Sequence, residues 1–241
     1  MNLKTIHNVY FIGIGGVGMS ALAKYFVADG KAVGGYDKVA TLITDSLVKL
    51  GVGIQFETML SQIDKCFLNS KTTLIVFTPA ISESNPILQY FRTHNFQVLK
   101  RSKVLGLVTE HTQCLAVAGT HGKTTTSSIL GHLLYESNEN LTAFVGGISE
   151  NYQSNLIQKG TDISVVEADE FDRSFLTLSP DFACITSMDA DHLDIYNSEA
   201  ELVETFKAFT KKIKPSGKLF IRKGLPLKGI TYGVNEEADY A

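Results

Sequence analysis

The stretch that most restricts how this chain can fold runs from Cys114 to Leu134. An apolar run, Cys114-Leu115-Ala116-Val117-Ala118, enters the polar turn Gly119-Thr120-His121-Gly122-Lys123-Thr124-Thr125-Thr126. Apolar residues then recur at helical spacing as Ile129, Leu130, Leu133 and Leu134. Strand, glycine turn and helix in that order form a phosphate cradle. Glycines let backbone N–H groups converge on an anion, the helix N-terminus adds partial positive charge, and Lys123 and the Thr124 hydroxyl offer a cation and a metal ligand. The full P-loop pattern is not met, because Val117 stands where its first glycine belongs; the turn is the shorter variant G-T-H-G-K-T. The bland reading is a strand-to-helix turn that carries Gly-Lys-Thr by chance. The flanking strand and helix favour an ATP site formed by Gly119, Thr120, His121, Gly122, Lys123, Thr124 and Thr125.

A second glycine turn lies near the start of the chain. Residues 8–14 form a short apolar run of the kind a buried parallel strand uses. It enters Gly13-Ile14-Gly15-Gly16-Val17-Gly18, followed by a helical pattern of Met19, Leu22, Ala23, Phe26 and Val27 that closes at Gly30. A further strand over residues 32–36 ends at Asp37, nineteen residues after Gly18. This is the dinucleotide fingerprint: glycines for the turn and for close phosphate approach, then an acid placed for a ribose. A tight strand-to-helix turn with no ligand is the alternative.

The alternation continues, with helices expected over residues 41–50, 87–94 and 100–110 and strands over 52–56, 74–77 and 96–99. In an open parallel sheet the carboxyl ends of the strands face the ligand crevice, so Thr78 and its loop, just after the 74–77 strand, are candidate contacts. The chain therefore reads as α/β. A Rossmann-like parallel-sheet domain over residues 1–107 is followed by a P-loop α/β domain over 108–241, with no Gly/Ser linker between them. After the P-loop helix come a strand over 142–145, a Gly146-Gly147 turn and a polar loop through Gly160.

The β-branched run 163–166 ends in Glu167-Ala168-Asp169-Glu170, with Asp172 and Ser174 close behind. Carboxylates at the end of a strand, in a chain with a P-loop, are placed to hold Mg²⁺ against nucleotide phosphates; a solvated acidic turn is the other reading. A strand over 182–186 leads to Asp189-Ala190-Asp191-His192-Leu193-Asp194, where one histidine among aspartates marks a metal or phosphate neighbour. An amphipathic helix over 199–213 and strands over 218–221 and 230–233 follow.

Composition removes several classes. With 44% hydrophobic residues, 20% charged residues and a net charge of -3, the chain is ordinary for a globular protein and offers no electrostatic case for nucleic acid or an anionic membrane. Cys66, Cys114 and Cys184 are widely spaced and odd in number, and the last two sit in apolar runs, so they read as reduced, buried residues in a cytoplasmic protein. The strand-like sequence from about Asn8 leaves no room for a signal peptide, and no apolar run is long enough to span a bilayer.

Taken together these residues resemble the Mur ligases of bacterial peptidoglycan synthesis. The similarity covers essentially the whole chain and rests on four motifs in the family's order. They are Gly13 to Ser20, Gly119 to Thr126, Glu167-Ala168-Asp169-Glu170-Phe171-Asp172-Arg173-Ser174-Phe175, and Asp189-Ala190-Asp191-His192-Leu193-Asp194-Ile195-Tyr196. The first motif points to the alanine-adding branch, because the murein-peptide recycling branch usually carries a cysteine-containing version of that turn. The resemblance implies that the first glycine turn takes a UDP-sugar and not NAD, through Gly15, Gly16, Val17 and Gly18, with Asp37 and Thr78 beside it. It implies an ATP-dependent ligation of L-alanine to UDP-N-acetylmuramate through an acyl phosphate. Lys123 would contact the transferred phosphate, Thr124 and Glu167 would hold Mg²⁺, and His192 a second metal. A nitrogen ligand suits Mn²⁺ as well.

The family also has a third, Rossmann-like domain that brings the amino acid, and the resemblance reaches Ala241 inside the central domain. This chain is accordingly expected to bind its nucleotides and to be deficient in ligation. Two competing expectations remain: a murein-tripeptide recycling ligase, and a module binding NAD or a UDP-sugar with a vestigial P-loop.

Overall fold

A computed structural model describes residues 3–189, 196, 198–235 and 237–241. The chain divides into two compact units, residues 1–107 and 108–241. Each is built around its own sheet.

In the first unit, β1 (Asn8–Ile12), β2 (Ala32–Tyr36), β3 (Gly53–Gln55), β4 (Thr73–Phe77) and β5 (Gln97–Lys100) form a sheet in the order β3-β2-β1-β4-β5. All of its pairings are parallel. After Asn8 and Thr73, β1 and β4 are apolar and buried on both faces, as central strands of a covered parallel sheet must be. The helices are α1 (Val17–Ala28), α2 (Leu42–Val48), α3 (Pro86–Thr93) and α4 (Arg101–Thr109). Their starts follow from local chemistry. The Thr41 and Thr44 side chains form a reciprocal capping box at α2, and Asn85 accepts from Ile87 and Leu88 N–H groups at α3, with Pro86 in the first turn. One side of the sheet packs Tyr10, Ile12, Ile75 and Phe77 on Phe67, Ile87, Leu88 and Phe91. β1 lies between β2 and β4, so strand order reverses at its carboxyl end, and the glycine turn leaves from there.

The second unit carries β6 (Gln113–Ala118), α5 (Lys123–Glu136), β7 (Leu141–Ser149), β8 (Ser154–Gln158), β9 (Ile163–Ala168), β10 (Phe182–Ile185), α6 (Glu199–Thr210), β11 (Lys218–Arg222) and β12 (Ile230–Tyr232). Its sheet runs β12-β11-β10-β6-β9-β7-β8. Here too β6 sits at the reversal of strand order, between β10 and β9, and its carboxyl end releases the Gly119 to Thr126 turn.

One expectation is corrected. The polar loop read between Gly147 and Gly160 contains β8, which pairs antiparallel with β7, and β7 continues through both glycines to Ser149. Pairing shifts register between Phe144 and Ser149, where Gly146 and Gly147 lie. β8 escaped the apolar-run criterion because only alternate residues, Asn155 and Ile157, are buried. Among the described residues no helix is long and apolar enough to cross a membrane.

Candidate functional site

The glycine turn of the first unit is tight because it is packed from inside. Gly13 takes φ +88°, in the left-handed region, and donates its N–H to Tyr36 O at 2.7 Å. A Cβ on Gly13 would lie 2.8 Å from Thr78 Cγ2, one on Gly15 would lie 2.9 Å from Asp37 Oδ2, and one on Gly18 would lie 2.9 Å from Arg101 Nη1. Thr78, Asp37 and Arg101 therefore wall the turn on three sides. Gly16 differs: its Cβ would meet nothing nearer than Gly13 O at 3.6 Å, and its φ of -65° suits any residue. The backbone demands glycine at 13, and side chains at 15 and 18 would have to displace Asp37 and Arg101, whereas 16 has room for a Cβ. Gly16 is exposed and is the N-cap of α1, and Val17 opens that helix.

Asp37 has a definite partner. Its Oδ2 accepts the Gly15 N–H at 2.7 Å and its Oδ1 accepts the Val39 N–H at 3.3 Å. The carboxylate thus sits against the glycine turn.

In the second unit the Gly119 to Thr126 turn is pinned by the strand beside it. Thr120 and Ser187 join backbone and side chains, N–H to O at 3.1 Å and Oγ1 to Oγ at 2.9 Å. The His121 N–H donates to Ser187 Oγ at 2.7 Å, and the Thr186 hydroxyl donates to the Ala118 and His121 carbonyls. A Cβ on Gly119 would collide with Thr186 Oγ1 at 2.2 Å, so glycine there is required by packing. Gly122, at φ +80°, is the N-cap of α5 and carries no side-chain cap. His121, Gly122, Thr124 and Thr125 are exposed, whereas Gly119 and Thr120 are buried beneath them.

Two ionisable contacts complete the cradle. Lys123 turns back over its own loop, donating to Gly119 O at 2.6 Å and pairing with Glu170, with Nζ at 3.0 Å from Oε1 and 2.8 Å from Oε2. Glu170 is only 2% exposed. Its carbonyl accepts the Tyr196 hydroxyl at 2.7 Å, and the buried Tyr196 phenol is pushed up to about 12 by desolvation first and the Glu170 charge second. Thr124 Oγ1 donates to Glu167 Oε1 at 2.9 Å, and Glu167 Oε2 accepts the Gly146 N–H at 2.8 Å. A hydroxyl and a carboxylate side by side, both oxygen donors, form the hard-ligand set that suits Mg²⁺.

Of the residues singled out in the sequence, Gly119 to Thr125 and Glu167 come together at the carboxyl ends of β6 and β9. Gly15 to Gly18, Asp37 and Thr78 come together at the carboxyl ends of β1, β2 and β4. His192 lies outside the described residues. Sequence reading passed over Glu170 as a partner of Lys123, Gly146 as a donor to Glu167, Arg101 at the first turn, and the Thr186–Ser187 clamp. A signal existed only for the clamp: two hydroxyl residues at the end of a strand next to a P-loop strand.

Comparison with known proteins finds family matches over both units. Residues 8–113 match the model for the Mur ligase family, catalytic domain, and residues 117–239 match the Mur ligase middle domain. The chain is 56% identical over 240 residues to a protein from Flavobacterium psychrophilum named UDP-N-acetylmuramate--L-alanine ligase. That match covers 100% of this chain and 53% of the relative. A protein of the same name from Flavobacterium johnsoniae is 55% identical, with the same coverage of 100% and 53%. The chain thus spans about half the length of the curated relatives it matches. Among solved structures, a UDP-N-acetylmuramate-alanine ligase from Thermotoga maritima superposes with a TM-score of 0.77 at 29% identity, over 93% of this chain and 54% of that one. A UDP-N-acetylmuramate:L-alanyl-gamma-D-glutamyl-meso-diaminopimelate ligase from Neisseria meningitides shares the fold, with a TM-score of 0.82 at 23% identity over 92% of this chain and 72% of that one. With family models covering nearly every residue of both units, the chain belongs to the Mur ligase family.

Proposed function

We propose that this chain is the sugar-nucleotide- and ATP-binding part of a cytoplasmic ligase that joins L-alanine to UDP-N-acetylmuramate. The observation that carries the reading is the paired set at the second glycine turn: Lys123 on Glu170, and Thr124 on Glu167. A lysine folded over a glycine turn at the start of a helix, with a hydroxyl–carboxylate pair beside it, is the set of groups a nucleoside triphosphate and its metal require. The names of the relatives that match the whole chain support the choice of substrates.

In this reading residues 1–107 form the UDP-sugar domain and residues 108–241 a part of the ATP domain. Gly15, Gly16, Val17 and Gly18 approach the UDP pyrophosphate, where the open side of Gly16 admits an oxygen that a side chain would displace. Thr78 and Asp37 border the same ligand. Gly119, Thr120, His121, Gly122 and Thr125 line the ATP phosphates, and Lys123 screens the terminal phosphate as the lactyl carboxylate oxygen attacks phosphorus and ADP leaves. The alanine amine then adds to the acyl carbon, loses a proton and expels phosphate. Thr124 and Glu167 would hold Mg²⁺, with His192 at a second cation and Mn²⁺ as a substitute; the metal supplies charge screening between anionic reactants.

Calorimetric titration of the chain with UDP-N-acetylmuramate, Mg²⁺-ATP and NADH tests the proposal. Binding of the first two and not of NADH is expected. NADH binding without UDP-N-acetylmuramate binding would return the first turn to its dinucleotide reading and overturn this one.

A further inference from the structure

We propose that Glu170 is the internal counter-anion of Lys123, that nucleotide phosphates bind by taking Lys123 away from it, and that Glu170 thereby strengthens the site's demand for a cation-bound nucleotide over the bare one. The inference rests on the second glycine turn being a nucleotide site, as argued above.

The geometry defines which partner moves. Glu170 is held by its backbone: its carbonyl accepts the Tyr196 hydroxyl and the Arg173 N–H at 3.0 Å, and it caps the 3-10 turn Phe171–Thr177. Its side chain is 3% exposed. Lys123 is a long flexible side chain at the first position of α5, and it reaches Glu170 by folding back to Gly119 O. Arrival of a phosphate therefore draws Nζ off a carboxylate that stays in place. The competition has a sign. Lys123 sits directly on the Glu170 carboxylate, so a phosphate that takes Lys123 brings its own negative charge beside that of Glu170.

Repulsion between fixed charges scales with the charge of the incoming group. Bare ATP carries about four negative charges and its magnesium form about two, so the penalty imposed by Glu170 is roughly twice as large for the bare nucleotide. Glu167 acts in the same sense, but it is the residue that contacts Thr124 and would lose a metal ligand on substitution. Glu170 separates the two effects, because its carboxylate meets Lys123.

The test compares ATP dissociation constants in EDTA and in saturating Mg²⁺ for the parent chain and for Glu170→Gln. Glutamine keeps an acceptor for Lys123 and removes the charge. Affinity for Mg²⁺-ATP is expected to tighten about threefold and affinity for bare ATP about tenfold, so that the ratio of the two constants falls roughly threefold. Glu170→Ser, small enough to admit water beside Lys123, carries the same expectation and keeps the test decisive if the glutamine variant does not fold. Glu170→Asp retains the charge and is expected to keep the parent ratio. A ratio unchanged or enlarged in the Gln or Ser variant overturns the inference, as does an equal fall in the Asp variant. A parent chain that binds no ATP in either condition overturns the nucleotide reading itself, which is a separate result.

Discussion

Glu167 and Thr124 are joined across two elements: the Thr124 hydroxyl at the start of α5 donates to Glu167 Oε1 at the end of β9 at 2.9 Å. The other carboxylate oxygen is held by the Gly146 N–H at 2.8 Å. The acid is therefore aimed by a strand that itself carries no ionisable group at that point. A Cβ on Gly146 would lie 2.4 Å from Glu167 Oε2, inside any allowed contact. Gly146→Ala is expected to swing the flexible carboxylate off Thr124 while the fold survives. Moving a carboxylate away from the place where it would hold the metal would weaken Mg²⁺-dependent ATP binding about tenfold or more. Titration beside a thermal melt checks it, and parent-like binding in the folded variant counts against the role of Glu167.

Lys123→Ala removes the cation of the cradle. With one charge-assisted contact of about 1.5–3 kcal/mol lost, ATP affinity is expected to fall about ten- to a hundredfold. It also takes an ion-pair partner from a buried carboxylate, and breaking a buried pair in this way costs about 3–5 kcal/mol of stability. The melting temperature should therefore drop as well. Equal ATP affinity and equal melting for both proteins would deny Lys123 either task.

Gly16→Val tests the first turn. Because a Cβ at this position meets only ordinary contacts, the variant should fold, with stability close to the parent. Its branched side chain occupies the side from which a pyrophosphate would approach the backbone, so UDP-N-acetylmuramate binding should be lost. Calorimetry on the folded variant decides it, and retained affinity would show that the ligand does not come to this side.

Thiol reactivity offers a test independent of ligands. Cys114 is buried and Cys184 half-buried, whereas Cys66 is exposed. Partial desolvation, then the hydrogen bond and charge of Asp64, push the Cys66 thiol up to about 11 from an ordinary 9.0. Only the thiolate attacks alkylating agents, and a raised value lowers its population below that pH. In native protein Cys66 alone should react, about a hundredfold more slowly at pH 8 than an ordinary thiol, its rate climbing about tenfold per pH unit towards pH 11. Mass spectrometry after timed alkylation reads both site and rate. Fast labelling of Cys66 at pH 8, or native labelling of Cys114, would contradict the environments described.

Whatever depends on neighbours along the chain was legible from its residues. Apolar runs and glycine turns marked β1, β4, β6 and β9 and the helices that follow β1 and β6, because burial on both faces writes a continuous apolar signal and a tight turn needs its glycines in place. Glu167 and Lys123 were marked as chemistry too, one by one. Which groups they face is a property of the folded chain. Lys123 meets Glu170 forty-seven residues away and Thr124 meets Glu167 forty-three away, because β6 and β9 pair in parallel and deliver their carboxyl ends to one place. Strand β8, half polar and half buried, became a strand only by pairing with β7. Asp37 illustrates the same limit within the first unit. Its spacing after Gly18 was local information, but the Gly15 N–H that occupies its carboxylate comes from the neighbouring strand's turn, and strand pairing is a property of the folded chain alone.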